Sequence, residues 1–200
     1  PHLLESYTAE RLPVARRNIG FSTQNYQAWR DTPDAGAVCE DSPAGAAVRA
    51  LLGARLREST RVEWDSTGLQ IGYRNDASPS CVPEGPPAPA DDYSPYEPTA
   101  RPGARAPHAW LSDGRSTLDL FGRGFVLLQF GDSAVPDALR EAFARRGIPF
   151  RVQRLGEPRV AALYERALVL VRPDGHVAWR GDAVDNPRHI ADIVCGAKAT

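Results

Sequence analysis

Between Pro79 and Pro107 the chain carries nine of its eighteen prolines, at 79, 83, 86, 87, 89, 95, 98, 102 and 107. Each lacks a backbone N–H and has a fixed φ, so such a stretch neither pairs inside a sheet nor sustains a helix. The stretch is expected to be an extended connector laid along a surface, with bounds at 76–108. A PxxP ligand for an SH3-type module is set aside because ordinary linkers are commoner. The 200 residues thus divide into 1–75, the connector and 109–200.

The first part reads as helical. Leu3, Leu4 and Tyr7 precede Pro13, which should end or kink one helix and start another at Val14. Val14, Phe21 and Ala28 share a face with Asn18 and Asn25, a face less apolar than an ordinary core face. Thr32 to Asp41 is expected as a loop. Ser42-Pro43 is a good helix start, and Val48, Leu51, Leu52 and Leu56 make an amphipathic stripe to about Ser59. Gly68–Arg74 alternates like a strand with one buried face.

After the connector the pattern is α/β. Strands are expected at Ser116–Phe121, Phe125–Phe130, Phe150–Leu155, Ala167–Arg172 and His176–Arg180. Phe125–Phe130 is nearly continuous apolar, as in a strand covered on both faces. Helices are expected over Pro136–Arg146 (ended by Gly147), Val160–Arg166 and from Asn186-Pro187 onward, with Ile190, Ile193 and Val194 inward. Pro173-Asp174-Gly175 is turn chemistry, after which Val177 and Trp179 are expected on one face. The order β-α-β-(α)-β-β-α, after one extra strand, is that of a thioredoxin-like fold. The fold class is therefore α/β.

Composition excludes little else. Hydrophobic residues at 42% and charged residues at 24% are ordinary for a globular chain, and 24 basic against 25 acidic residues leave −1. That balance gives no electrostatic footprint for nucleic acid. No apolar run approaches the roughly 18 residues of a membrane span. Cys39, Cys81 and Cys195 stand far apart without a CxxC, so neither a disulfide framework nor a metal site is expected, and the default compartment is a reducing, cytoplasmic one. The chain has no methionine and one lysine, Lys198. It is expected to be a piece of something larger.

Redox chemistry in a thioredoxin-like fold needs a low-pKa thiolate where the first central strand enters its helix. Here that place is Gly131-Asp132-Ser133-Ala134-Val135-Pro136, without cysteine, and no proline precedes the third strand at Tyr164–Ala167. Cys195 beside Val194 reads as a small core residue. Gly181-Asp182-Ala183 resembles a flavin-ribose motif, but a turn capping the last helix is the better reading. His2, His108, His176 and His189 have no ligand spacing. No G-x-G-x-x-G, P-loop, G-x-S-x-G or HExxH occurs. No catalytic, cofactor-binding or metal-ligating residue is therefore expected in this chain.

Five blocks nevertheless point to one family. Ser6–Asn18 resembles the S-Y-x-x-E-R-x-P-V-A-x-x-N helix pair of FAD-dependent aromatic hydroxylases, the single-component flavoprotein monooxygenases of the phenol hydroxylase and 2,4-dichlorophenol 6-monooxygenase type. Leu69–Arg74 resembles their L-x-L-G-Y-R strand, and Pro98–Leu111 their P-x-x-R-P-G-x-R-x-P-H-x-W-L entry to the C-terminal domain. Ser116–Gly122 follows in place, and Val171–Arg180 resembles V-R-P-D-x-H-V-A-W-R. The blocks keep family order across nearly all of the chain.

This resemblance implies that residues 1–75 are closing helices and a strand of an FAD- and substrate-binding part. It also implies that 109–200 is a thioredoxin-like C-terminal domain. The whole enzyme would hydroxylate a phenolic or polyketide ring through a flavin C4a-hydroperoxide, with NADPH or NADH as reductant. FAD would be held by the part preceding this chain, which alone would be inactive. Glu10, Arg11 and Asn18 are read as helix-pair bonding and packing, and Arg101 and Arg105 as pinning the connector to acidic partners in the preceding part. The expected partners are that N-terminal part, a small aromatic substrate and possible second copies in a homodimer, with no nucleic acid and no membrane. The contrasting reading is a stand-alone, non-catalytic thioredoxin-like module for interaction or dimerisation. The two differ in Leu3, Leu4, Tyr7, Val14, Phe21, Val48, Leu51, Leu52 and Leu56, which need cover from a preceding polypeptide. Leu69–Arg74 is then expected as the edge of a sheet completed from outside, with the α/β unit docked elsewhere.

Overall fold

The first helix runs straight through its proline. In the computed structural model, which describes residues 2–30, 36–85, 93 and 95–197, α1 spans His2–Arg30 with Pro13 inside it. The expected break is therefore not an end of helix. Pro13 removes the N–H that would bond the Ala9 carbonyl and crowds that carbonyl with its ring, but contacts on both sides hold the two halves together. The expected loop at 32–41 lies outside the described residues over 32–35, and Gly36–Cys39 forms a 3-10 turn. Helix α2, Pro43–Trp64, starts with Ser42 accepting from the Gly45 N–H and runs beyond Ser59.

The predicted strand at Gly68–Arg74 is instead a short helix, α3, Thr67–Ile71. Tertiary bonds override its alternation. Arg17 donates to the Gly68 and Leu69 carbonyls at 2.9 and 2.8 Å, and the Leu69 N–H donates to the Tyr93 carbonyl. Only Arg74 makes a bridge, to Ala104 of the same chain, so this segment edges no sheet.

The connector is also more than a surface tether. Residues 86–92 and 94 lie outside the described part, but Cys81, Ala100, Ala104 and Ala106 are buried. The Val82 and Gly103 N–H groups donate to the Ala178 and Val177 carbonyls. Proline forbids a central strand, not the covering of an edge, and the connector's non-proline N–H groups do the pairing. Gly103 takes φ +90, and a Cβ there would stand 2.8 Å from the Asn75 backbone, so this crossing requires glycine. Farther on, Tyr164 and Thr117 hydroxyls donate to the Pro107 carbonyl at 2.7 and 2.8 Å. The strand expected at Ser116–Phe121 is a 3-10 turn, Thr117–Leu120, fixed by a Ser116/Asp119 capping box.

The remaining chain builds a mixed α/β domain. Strand β1 (Phe125–Phe130) is buried throughout. Helix α4 (Asp137–Ala144) returns the chain to β2 (Phe150–Leu155), which pairs parallel to β1. Helix α5 (Pro158–Tyr164) leads to β3 (Leu168–Val171), antiparallel to β1, then to β4 (Val177–Gly181) and α6 (Pro187–Val194). The strand order is β2-β1-β3-β4. Leu127, Leu168 and Leu170 face Leu139 and Phe143 of α4 and Ile190 of α6. Val126, Leu128 and Val169 face Val160 and Tyr164 of α5 and the connector's Ala100 and Ala106. The sheet thus has a helical layer on one side and a mixed helix-and-connector layer on the other.

Val177 and Trp179 do not share a face. Leu170 lies opposite Trp179 while Val171 lies opposite Val177, so Ala178 is an extra residue in β4. This bulge sends Val177 to one core and Trp179 to the other.

Candidate functional site

Helix α1 turns a polar face inward. Ser6 and Glu10 are buried, as is Phe21 farther along, whereas Leu4, Leu12, Ile19 and Tyr26 are exposed, the last two at 66% each. Leu12, Ile19 and Tyr26 recur every seventh residue and so form one outward stripe. With Asn18, Ser22 and Thr23, Ile19 and Tyr26 line an open hollow of about 360 Å³. Of the residues expected to need cover, Leu3, Leu4, Tyr7 and Leu51 are also exposed, while Phe21 and Leu52 are buried within the chain.

The buried Glu10 is the centre of a polar hub. Arg172, at the end of β3, donates to it twice, from Nη1 at 2.6 Å and from Nη2 at 3.1 Å. Ser78 and Ser80 of the connector donate to the same carboxylate at 2.6 and 3.2 Å. The guanidinium is also held by Asp174 Oδ2 at 2.6 Å and Ser80 Oγ at 2.9 Å. Asp174 accepts from the His176 N–H, and the buried His176 ring lies against Tyr73 at 5.5 Å. The α/β domain therefore docks on α1, contrary to the expectation that it sits elsewhere. A second contact puts Gly196, after α6, against Leu3.

Burial alone would raise the pKa of Glu10, but the Arg172 bonds and then Ser78 bring it below the ordinary carboxylate value. Asp174 is likewise held well down: His176 and Arg172 outweigh its desolvation. Both groups bind protons less readily folded than unfolded. Their stabilisation is present above the unfolded pKa near 4 and is lost as pH falls through the lower folded values. Between pH 5 and pH 2.5 the urea midpoint is expected to fall, and Glu10→Gln should flatten that slope. A Glu10→Gln profile parallel to wild type would show that the carboxylate contributes nothing to it.

A second ionic cluster closes the other end of β4. Glu84 of the connector accepts from Arg180 at 2.5 Å and Arg166 at 3.1 Å, and Arg180 also reaches Glu165 at 2.8 Å. Asp182 of the Gly-Asp-Ala segment accepts from the Ala167 N–H at 3.1 Å. It thus ties α5's exit to β4 instead of capping the last helix, a task Asn186 performs. Arg101 donates to the Glu84 carbonyl at 3.1 Å, an in-chain partner the sequence reading did not foresee. Arg105 bridges His176 through its backbone. Arg11 and Asn18 are exposed, so of Glu10, Arg11 and Asn18 only Glu10 is built into the interior.

Desolvation governs the two inner thiols, at Cys81 in spite of the neighbouring Arg172 guanidinium. Burial pushes Cys195 up to about 11 and also raises Cys81, whereas Cys39 is exposed. Thiolate being the reactive form, one rapid equivalent of thiol reagent is expected at pH 8, lost in Cys39→Ser. Two or more rapid equivalents would contradict the burial of the other two. Among the described residues no cluster of histidine, cysteine and carboxylate could hold a metal, and no helix is long and apolar enough to cross a membrane.

Four of the five sequence blocks contribute to this hub or its borders: Glu10 from the first, Tyr73 from the second, Gly103 and Arg105 from the third, and Arg172, Asp174 and His176 from the last, whereas Thr117 of the fourth anchors the connector's end at Pro107. The site is thus one of inter-element bracing, on a small mixed α/β domain, in a chain with an uncovered apolar helix face.

Known proteins resemble this chain in sequence and fold. Residues 99–196 match the family model "Aromatic-ring hydroxylase, C-terminal". The FAD-dependent monooxygenase apdD of Emericella nidulans is 33% identical across 98% of this chain and 34% of its own length. Phenol 2-monooxygenase of a Pseudomonas species is 30% identical across 98% of this chain and 38% of its own. Among solved structures, RebC with bound 7-carboxy-K252c superposes with a TM-score of 0.89 at 42% identity, covering 99% of this chain and 38% of RebC. Residues 99–196 belong to the aromatic-ring hydroxylase C-terminal domain family, and the chain spans little more than a third of the relatives it matches.

Proposed function

We propose that this chain is the C-terminal segment of an FAD-dependent, NAD(P)H-using monooxygenase that hydroxylates a phenolic or polyketide ring in the cytoplasm. In this reading residues 1–75 close the FAD- and substrate-binding part, 76–108 connect, and 109–200 form a thioredoxin-like domain without redox cysteines. The observation that carries it is the inverted α1: a polar face buried at Glu10 and an apolar stripe at Leu12, Ile19 and Tyr26 left open. A helix so patterned is built to be covered on its outward side. The named relatives, each nearly three times as long, supply the class of polypeptide that would cover it.

FAD, when bound, supplies the oxygen chemistry, but the described residues do not fit it. A dinucleotide needs a glycine-rich strand-to-helix turn with free N–H groups. The β1-to-α4 turn instead carries the Asp132 carboxylate, and its Ser133 carbonyl is tied to Gln129 at 2.7 Å. The chain's own contribution is to enclose and brace. The test is to express the longer protein, record its visible spectrum, and follow NADPH and NADH oxidation with phenol and 2,4-dichlorophenol, looking for one added oxygen by mass. Flavin absorbance with a hydroxylated product is expected. A colourless longer protein, inert with both phenols, would overturn the proposal.

A further inference from the structure

Apart from the contact of Leu3 with Gly196, the first half of α1 is held by directional bonds. Its inward side there presents Ser6 and Glu10, not an apolar stripe, and Pro13, one turn on, leaves the Ala9 carbonyl without its helical donor. The helix is fixed on both sides of that weak point. Before it, Glu10 is gripped by Arg172. After it, Arg17 holds the α3 carbonyls and lies 5.0 Å over the Tyr93 ring, while Phe21 meets the same ring at 5.3 Å. The Arg172 side chain is 13% exposed and that of Glu10 6%. A buried, two-pronged pair of this kind adds less to stability than to the uniqueness of an arrangement. Asp174, Ser80 and Ser78 hold the two partners in this geometry.

We propose that Arg172 is a positioning residue for α1: through Glu10 it sets the register in which the outward stripe Leu12–Ile19–Tyr26 is offered to the preceding part of the enzyme. The α/β domain is then a brace whose action on catalysis passes through that helix. This rests on the reading of the chain as the closing segment of a flavoprotein hydroxylase, and it adds to that reading a task for the domain.

The experiment uses the longer protein with its flavin, as wild type, Arg172→Met, Arg172→Lys, Glu10→Gln and the double variant Glu10→Gln/Arg172→Met. Hydrogen exchange is followed in peptides covering residues 3–20 and, separately, 125–130 and 168–171. The fraction of NADPH oxidised that ends in hydroxylated product, not peroxide, is measured with phenol and 2,4-dichlorophenol as probes. Arg172→Met should speed exchange over 3–20 at least tenfold, leave β1 and β3 within twofold, and lower the product fraction at least threefold. Glu10→Gln should match it, the double variant should be no worse than either, and Arg172→Lys should restore part of both readouts. Exchange over 3–20 within twofold of wild type would overturn the proposal. So would an equal rise in β1 and β3, or a product fraction that stays constant while α1 loosens. If Arg172→Met does not fold, Glu10→Gln and Arg172→Lys decide by the same criteria. Should the wild type oxidise neither NADPH nor NADH with either phenol, the hydroxylase reading fails, while the exchange measurements still decide whether Arg172 sets α1.

Discussion

Trp179→Ala is expected to lower the unfolding free energy by about 3–5 kcal/mol, the range for deleting a large buried ring. Trp179 is 9% exposed and belongs to the core formed with Phe125, Leu127, Leu170, Ile190 and Ala191. The walls of the resulting cavity are the sheet on one side and α6 on the other, and neither moves in without breaking its own pairing. Gly181 makes the same point from the other direction: a Cβ there would stand 2.8 Å from the Trp179 ring, so the ring already fills the space to the backbone. For a domain whose total stability is about 5–15 kcal/mol, such a loss is about a fifth of the whole or more. Val177→Ala, in the opposite core, removes two methyl groups and should cost about 2 kcal/mol. Because the two residues lie on separate faces, the double variant should be additive. Urea unfolding with an unchanged slope measures all three. A Trp179→Ala loss under about 1 kcal/mol would mean the ring is not core, and strong non-additivity would mean the bulge at Ala178 does not separate the faces.

The bulge marks a limit of reading structure from pattern. Strands β1 and β3 were legible from apolar runs, because strands buried on both faces leave a continuous hydrophobic signature, whereas β2, with Arg151, Gln153 and Arg154 among its residues, is only partly buried. Helices α4 and α6 were legible from their stripes and from Gly147 and Asn186-Pro187. Alternation failed twice for physical reasons. At Ala178 one inserted residue reverses the parity on which the face assignment of Val177 and Trp179 depended. At Gly68–Arg74 the segment is short enough for Arg17, 51 residues away from Gly68, to decide its conformation through carbonyl bonds. The burial of the connector was hidden because proline content reports only which hydrogen bonds are impossible, and the small residues Ala100, Ala104 and Ala106 that enter the core carry little hydropathy signal. The Glu10–Arg172 pair spans 162 positions, beyond any local rule. Its one trace was that both residues fall in blocks resembling the same family, and the structure supplies the physical reason.

Ile19→Asp is expected to have opposite weights in two settings. In the separate 200-residue chain Ile19 is 66% exposed, and isoleucine and aspartate have similar intrinsic helix preferences. The change there should stay within about 0.5 kcal/mol. In the longer protein the outward stripe of α1 is covered, on the reading proposed above, and the same substitution buries an unpaired carboxylate. Such a group, without a hydrogen-bonding partner, costs about 3 kcal/mol or more, and the cover should part from α1 before the charge is accommodated. The expected result is a large drop in the thermal midpoint and weaker flavin retention in the longer protein, with little change in the separate chain. Tyr26→Ala should follow the same pattern through lost ring burial, by about 3 kcal/mol in the longer protein. The contrast is what matters, since a residue covered only by solvent gives small effects in both settings. Equal, small effects of Ile19→Asp in the two proteins would leave α1's stripe uncovered and remove the main physical support for a preceding domain seated on it.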